Sequence, residues 1–220
     1  MIMDKPEQSE CVRIGLMGGT FDPIHYGHLV AAEAARVDFG LDKVVFVPSG
    51  RPPHKMGKPI TSGWDRYVMT MLAVSDNPYF DVSDIEIKRE GLSFAIDTVR
   101  QFKSTLPAGS EIFFITGADA CLEIFSWKDS RQLLSECRFI AATRPGISGS
   151  HLNEEISRLY PGFSDRFFVL EVPALAISST DIRARVEQGR SIRYLLPESV
   201  RQYIKRRGLY RVGQSGHPVG

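Results

Sequence analysis

The sequence predicts an α/β protein with a Rossmann-like, doubly wound, mostly parallel sheet and helices on both faces. Short runs of apolar, β-branched and aromatic residues recur and stop at Gly or Pro, as at Arg13–Met17, Lys43–Val47 and Glu111–Thr116. Stretches with apolar residues at helical spacing lie between them. The intervals are long enough for the crossovers that parallel neighbours need, where antiparallel neighbours could join by a two-residue turn.

The elements follow in order. Arg13–Met17 is a buried strand running into a tight turn at Gly18-Gly19, and a helix is expected over Gly27–Phe39. Val44, Val45, Phe46 and Val47 make the second strand, stopped by Pro48. Residues 49–62 hold three prolines and two glycines and read as an irregular loop of a length that often carries function. A helix over Trp64–Val74, a strand over Phe80–Ile87 from its alternation, and a short helix over Phe94–Phe102 come next. Ile112, Phe113, Phe114 and Ile115 form a strand, after which Gly117-Ala118-Asp119 opens a helix. Arg138–Ala142 is a strand, Leu152–Leu159 a helix and Phe167–Val172 a strand, and helices over Thr180–Gln188 and Pro197–Arg206 close the chain. One domain is expected over residues 12–212, with a helical part at 178–208, a flexible extension at 1–11 and a disordered tail at 213–220.

The 220 residues are 43% hydrophobic, enough for a real core. No apolar run could span a bilayer, and the first ten residues are polar and acidic, so neither a membrane anchor nor a signal peptide is expected. Cys11, Cys121 and Cys137 are odd in number and widely spaced, which points to a reducing cytoplasmic setting. The net charge of +1 gives no argument for nucleic acid or an anionic membrane as partner. Locally the balance differs: residues 181–211 carry nine Lys or Arg against three acids. An RNA-binding module is the reading this stretch would support. Its cations lack interleaved aromatic platforms apart from Tyr194 and Tyr203, and solvated helix faces account for most of them.

Chemistry concentrates at the end of the first strand, where ligands of open α/β sheets sit. Gly18 and Gly19 lack a Cβ, so an anion can approach backbone N–H donors, and Thr20 adds a hydroxyl. Two glycines after a strand could equally be a plain tight turn. His25 and His28 are three apart at the expected start of a helix, where i and i+3 side chains share a face and the dipole attracts anions. Both imidazoles could meet one phosphate. A partial metal site is the alternative, and no carboxylates or cysteines cluster nearby in sequence to complete it.

The segment Gly18-Gly19-Thr20-Phe21-Asp22-Pro23-Ile24-His25-Tyr26-Gly27-His28 resembles the signature of the nucleotidyltransferase superfamily, whose H-x-G-H part is shared with class I aminoacyl-tRNA synthetases. The resemblance extends over nearly the whole chain to bacterial nicotinate-nucleotide adenylyltransferases. It runs through Pro52-Pro53-His54-Lys55, Thr116-Gly117-Ala118-Asp119, Phe125-Ser126-Trp127-Lys128, Ala142-Thr143-Arg144-Pro145-Gly146, Ile177-Ser178-Ser179-Thr180-Asp181-Ile182-Arg183 and Ser191-Ile192-Arg193-Tyr194-Leu195-Leu196-Pro197. Pantetheine-phosphate adenylyltransferases and cytidylyltransferases are the nearest rivals, and Trp127 with the two last segments argues against both.

The resemblance implies attack by the phosphate of nicotinate mononucleotide on the α-phosphorus of ATP, with magnesium held mainly by phosphate oxygens and water. It implies that Gly18, Gly19, Thr20 and Phe21 meet phosphate, that His28 and His25 are catalytic, and that Lys55 brings a point charge from its loop. Ser178, Ser179 and Thr180 are natural helix caps, and with Arg183 they can also form an anion site for ATP phosphates. Asp119 after Gly117 suits ribose hydroxyls or another cap. Trp127 is implied to stack on the pyridine ring, with Thr98 near the nicotinate carboxylate and Arg144 on the mononucleotide side. The chain departs from the family at Ser93-Phe94-Ala95, where Ser-Tyr-Thr is common. Two hydroxyls are missing, which leaves the choice between nicotinate and nicotinamide open.

Overall fold

The computed structural model describes residues 11–55, 57, 59–143, 149–173 and 176–211. The expected N-terminal extension before residue 11 and the tail after residue 211 lie outside the described residues. In chain order the elements are β1 (Arg13–Gly19), α1 (Tyr26–Asp38), β2 (Lys43–Pro48), α2 (Gly63–Val74), β3 (Phe80–Val82), α3 (Ile85–Lys88), α4 (Ala95–Lys103), β4 (Glu111–Gly117), α5 (Ala118–Leu122), α6 (Ser130–Glu136), β5 (Arg138–Thr143), α7 (Gly149–Leu159), β6 (Phe167–Glu171), α8 (Ser179–Glu187) and α9 (Glu198–Arg207).

The six strands form one sheet in the order β3-β2-β1-β4-β5-β6, and every pairing is parallel. This is the doubly wound arrangement expected from the sequence. Its strand order reverses direction between β1 and β4, where the C-terminal strand ends leave a crevice.

Strand alternation divides the core into two layers. From β4, Phe113 and Ile115 face the layer built with α1, α2, α8 and α9, which contribute Ala32, Met69, Ile182 and Ile204. Ile112 and Phe114 face the opposite layer, with Ile96 of α4, Leu133 of α6 and Ile156 of α7. The near-continuous apolar runs of the central strands follow from burial on both faces.

Local chemistry sets the helix ends. Ser62 caps α2, its hydroxyl accepting the Asp65 N–H at 3.1 Å, and Gly208 ends α9 with φ of 65°, a conformation that favours glycine. Asp65 also ties α2 to α9: its carboxylate accepts from the Tyr203 hydroxyl at 2.7 Å and from Arg207 at 3.1 Å. Burial pushes that carboxyl up, but the hydrogen bonds from Tyr203, Ser62 and Arg207 outweigh it and hold the group below the usual aspartate range.

Three expectations need correction. The strand expected over Phe80–Ile87 ends at Val82, and Ile85–Lys88 is a helical turn. Phe80 and Val82 alternate in one phase and Ile85 and Ile87 in the other, so the pattern slips by one residue across Ser83-Asp84. The loop after β2 contains a 3-10 turn at Pro53–Lys55. Helix α6 and the 3-10 turns Ile124–Ser126 and Ser164–Arg166 were not expected from periodicity. Among the described residues no helix is long and apolar enough to cross a membrane. Three cations of the basic C-terminal stretch are neutralised locally: Arg185 pairs with Asp181, Arg201 with Glu198 and Arg207 with Asp65.

Candidate active site

A cavity of about 290 Å³ opens at the strand reversal. Met17 and Gly18 of β1, Ile115–Gly117 of β4, and Ala142 and Thr143 of β5 form its floor. His25, Gly27 and His28 line one side, and Ile177, Ser178 and Ser179 before and within α8 line the other.

Glycine makes the floor possible. A Cβ on Gly18 would come 2.9 Å from the Phe114 ring, and one on Gly19 would meet the Phe21 ring at 2.7 Å. Phe21 has a left-handed φ of 49°, uncommon for a bulky residue, and its ring meets His28 edge-on with centroids 5.1 Å apart.

The two histidines form a unit. His25 is the N-cap of α1 and only 6% exposed, and its ring stacks on that of His28 at 3.8 Å between centroids. The His25 backbone N–H donates to Nδ1 of His28 at 3.3 Å. With Nδ1 accepting, the neutral His28 ring carries its proton on Nε2, which makes Nε2–H a donor suited to a phosphate oxygen. Gly27 belongs to the same unit, since a Cβ there would lie 3.0 Å from the His25 ring. The glycine of H-x-G-H therefore gives the first imidazole its room.

From the end of β1 to α1 the carbonyls are held by donors from other segments. Ser49 donates its N–H to the Gly19 carbonyl at 2.8 Å. Arg66 donates to the Thr20 carbonyl at 2.7 Å, Arg183 to that of Asp22 at 2.7 Å, and the Ser179 hydroxyl to that of Pro23 at 2.8 Å. The Asp22 carboxylate accepts from the Tyr210 hydroxyl at 2.7 Å and the Thr61 N–H at 3.3 Å. Burial, reinforced by the Asp22 charge, raises the Tyr210 hydroxyl far above the ordinary tyrosine range, so it stays protonated and donates. Carbonyl oxygens repel phosphate. With these carbonyls occupied by donors, the loop presents less repulsion to an anion.

The expected residues fall into distinct places. Gly18, His25, His28, Gly117, Ser178 and Ser179 converge on the cavity. Ser178 caps α8 by accepting the Asp181 N–H at 3.1 Å, and Arg183 also reaches the Thr180 hydroxyl at 3.3 Å, so this segment cements α8 to the loop after β1. Gly19, Thr20 and Phe21 follow Gly18 directly in the chain and do not line the cavity. Lys55 sits half-buried in its 3-10 turn and Asp119 is exposed in the first turn of α5; neither lines the cavity. Trp127 is half-buried with its ring edge-on to Phe114 at 5.8 Å. Thr98 is 1% exposed, and its hydroxyl donates to Glu86 at 2.5 Å while accepting from Arg89 at 3.0 Å. Arg144 lies outside the described residues. Among the described residues no group of three or more His, Cys, Asp or Glu is arranged to hold a metal ion.

Sequence reasoning missed Arg66, whose signal was there: it falls on the stripe of α2 that buries Met69, Thr70 and Ala73, where a cation is out of pattern. Tyr210 carried no such signal, because its role depends on meeting Asp22 across 188 positions.

The cytidylyltransferase-like family model matches residues 16–185. Two similar proteins, each named "probable nicotinate-nucleotide adenylyltransferase", come from Desulfitobacterium hafniense strain Y51 (56% identical over 200 residues, 91% of this chain and 96% of the relative) and Moorella thermoacetica (59% over 199 residues, 90% and 92%). Among solved structures, the Plasmodium falciparum nicotinic acid mononucleotide adenylyltransferase complexed with NaAD is similar in fold, with a TM-score of 0.73 at 22% identity, covering 90% of this chain and 97% of that one. The chain belongs to the nicotinate-nucleotide adenylyltransferase family, within the cytidylyltransferase-like group.

Proposed function

We propose that the protein transfers the AMP moiety of ATP to nicotinate mononucleotide, giving nicotinate adenine dinucleotide and pyrophosphate, a step of NAD biosynthesis. The observation that carries this reading is the stacked His25–His28 pair facing Gly18, Ser178 and Ser179 across one cavity at the strand reversal. Relatives more than half identical over nine-tenths of the chain bear the name of this activity.

The chemistry asks for alignment and charge stabilisation rather than a covalent intermediate. A phosphate oxygen of the mononucleotide attacks the α-phosphorus of ATP, and the bond from that phosphorus to the oxygen bridging to the β-phosphorus breaks. His28, oriented through Nδ1, donates from Nε2 to the α-phosphate as negative charge shifts toward the leaving group, and His25 packs against it. The loop backbone at Gly19–Phe21 and the α8 cap with Arg183 hold the remaining phosphates, and Lys55 adds its charge from the loop after β2. Trp127 offers a face for the pyridine ring, Asp119 with Gly117 meets the ribose, and Thr98 and Arg144 support the mononucleotide side. The donors at the cavity are imidazole, hydroxyl and backbone amide, which address phosphate oxygens. They fit magnesium arriving as part of the ATP complex, held by phosphate oxygens and water. Both substrates are metabolites of the cytoplasm, where this reading places the enzyme.

The test is pyrophosphate release from ATP and magnesium with nicotinate mononucleotide, nicotinamide mononucleotide or phosphopantetheine as acceptor. Turnover fastest with nicotinate mononucleotide supports the assignment. Preference for either other acceptor, or no turnover, overturns it.

A further inference from the structure

We propose that Arg66 is a positioning residue that presets the phosphate-binding backbone after β1 and fastens it to both ends of the loop carrying Lys55. The inference rests on the functional reading above, and adds to it a residue that touches neither substrate.

The guanidinium is 1% exposed. Its Nη1 donates to the Thr20 carbonyl at 2.7 Å, its Nη2 to Ser49 at 2.6 Å and Gly50 at 3.3 Å, and its Nε to Thr61 at 2.9 Å. Four carbonyls from three chain segments converge on one planar group. Among the described residues no carboxylate forms an ion pair with it. A buried charge is costly without compensation, and burial draws this group below the usual arginine range although Asp22 opposes the shift. A side chain needed only to fill this space would be apolar. What a guanidinium adds is a fork of fixed donors that fixes the direction of several peptide planes at once.

Those directions matter at two places. The Thr20–Phe21 peptide is trans, so its N–H points opposite to its carbonyl. With the Thr20 carbonyl drawn onto Arg66, the Phe21 N–H is turned to the other side of the loop. This also helps hold Phe21 in its left-handed conformation. Ser49 and Gly50 begin the loop after β2 and Thr61 lies near its end, so both ends of the loop meet at one anchor. On the far side of that anchor, Ser93 accepts the N–H groups of Gly50 at 2.9 Å and Arg51 at 3.1 Å. The loop bearing Lys55 is therefore tied at its start and near its end to the residue that holds the phosphate cradle.

The test compares wild type with Arg66→Lys, which keeps the charge but loses the planar fork, after urea unfolding has confirmed a cooperative fold. KM for ATP is expected to rise, or kcat to fall, roughly ten- to a hundredfold, with KM for nicotinate mononucleotide changed less than about twofold. Arg66→Ala assayed with added guanidinium ion is expected to recover part of the loss. A folded Arg66→Lys with unchanged kcat and KM overturns the inference, while absence of turnover by wild type overturns the functional reading instead. Should neither variant fold, hydrogen exchange on wild type decides. Protection of the Ser49, Gly50, Arg51 and Thr61 amides before any ligand is added supports a preset loop, and protection that appears only with a non-hydrolysable ATP analogue overturns it.

Discussion

The backbone N–H of His25 donates to Nδ1 of His28 across 3.3 Å, so the first histidine of the motif orients the second by its main chain as well as by its stacked ring. The spacing of H-x-G-H is thereby explained. Three residues bring a helix N-cap and the N3 side chain together, and the glycine clears the space the first ring occupies.

Gly27→Ala separates folding from function. Alanine is the better helix former, and displacement of the buried His25 ring opposes that gain, so unfolding midpoints in urea should change little. The new Cβ lies 3.0 Å from the His25 ring and must displace it, and with it the stack on His28. A fall in kcat/KM of roughly tenfold or more is expected. Steady-state assay of a variant shown to be as stable as wild type checks it, and undiminished activity would remove His25 from the catalytic unit.

Glu86 should make the protein less stable as pH rises. Burial lifts its carboxyl above the ordinary glutamate range, against hydrogen bonds from Thr98 and Ser93 and the charges of Arg89 and Arg66. A group raised in the folded state contributes stability that is fully present below its unfolded value, near about 4.3, and is lost as pH climbs through the folded one. Glu86→Gln keeps the acceptor for the Thr98 hydroxyl and removes the titration. The stability of wild type relative to this variant should therefore decline as pH rises above about 4.3. Parallel curves in urea titrations would contradict it.

Asp65 carries the opposite sign. Its carboxyl is held below the ordinary range despite burial, so its contribution is present above the unfolded value and fades as pH falls through the folded one. Asp65→Asn disturbs the acceptor shared by Ser62, Tyr203 and Arg207 and should cost about 1–3 kcal/mol at neutral pH. The cost should shrink below about pH 4. Urea unfolding of both proteins at several pH values measures this, and a difference that stays constant into acid would count against the Asp65 linkage.

Much of the architecture was legible because it rests on local pattern. Five of the six strands announced themselves as apolar runs, and two-sided burial explains why those runs scarcely alternate. Where alternation was used, at Phe80–Ile87, a one-residue phase slip hid a turn of helix. In the site, Gly18, His25, His28, Ser178 and Ser179 were legible from spacing and meet in the cavity. The supports of the loop were not, because Arg66, Arg183 and Tyr210 act on backbone or side chains brought near by the fold. For Thr98 the resemblance implies a place near the nicotinate carboxylate, and nothing in the sequence indicated that its hydroxyl is also shared between Glu86 and Arg89.

His28 is the residue on which adenylyl transfer to nicotinate mononucleotide should depend most. The most direct measurement is the rate of pyrophosphate release by wild type and a folded His28→Ala variant, both saturated with ATP, magnesium and nicotinate mononucleotide. Wild-type turnover with kcat lower in the variant by roughly two or more powers of ten is the predicted result. A folded variant that turns over as fast as wild type, or a wild type inert toward this acceptor, would contradict it.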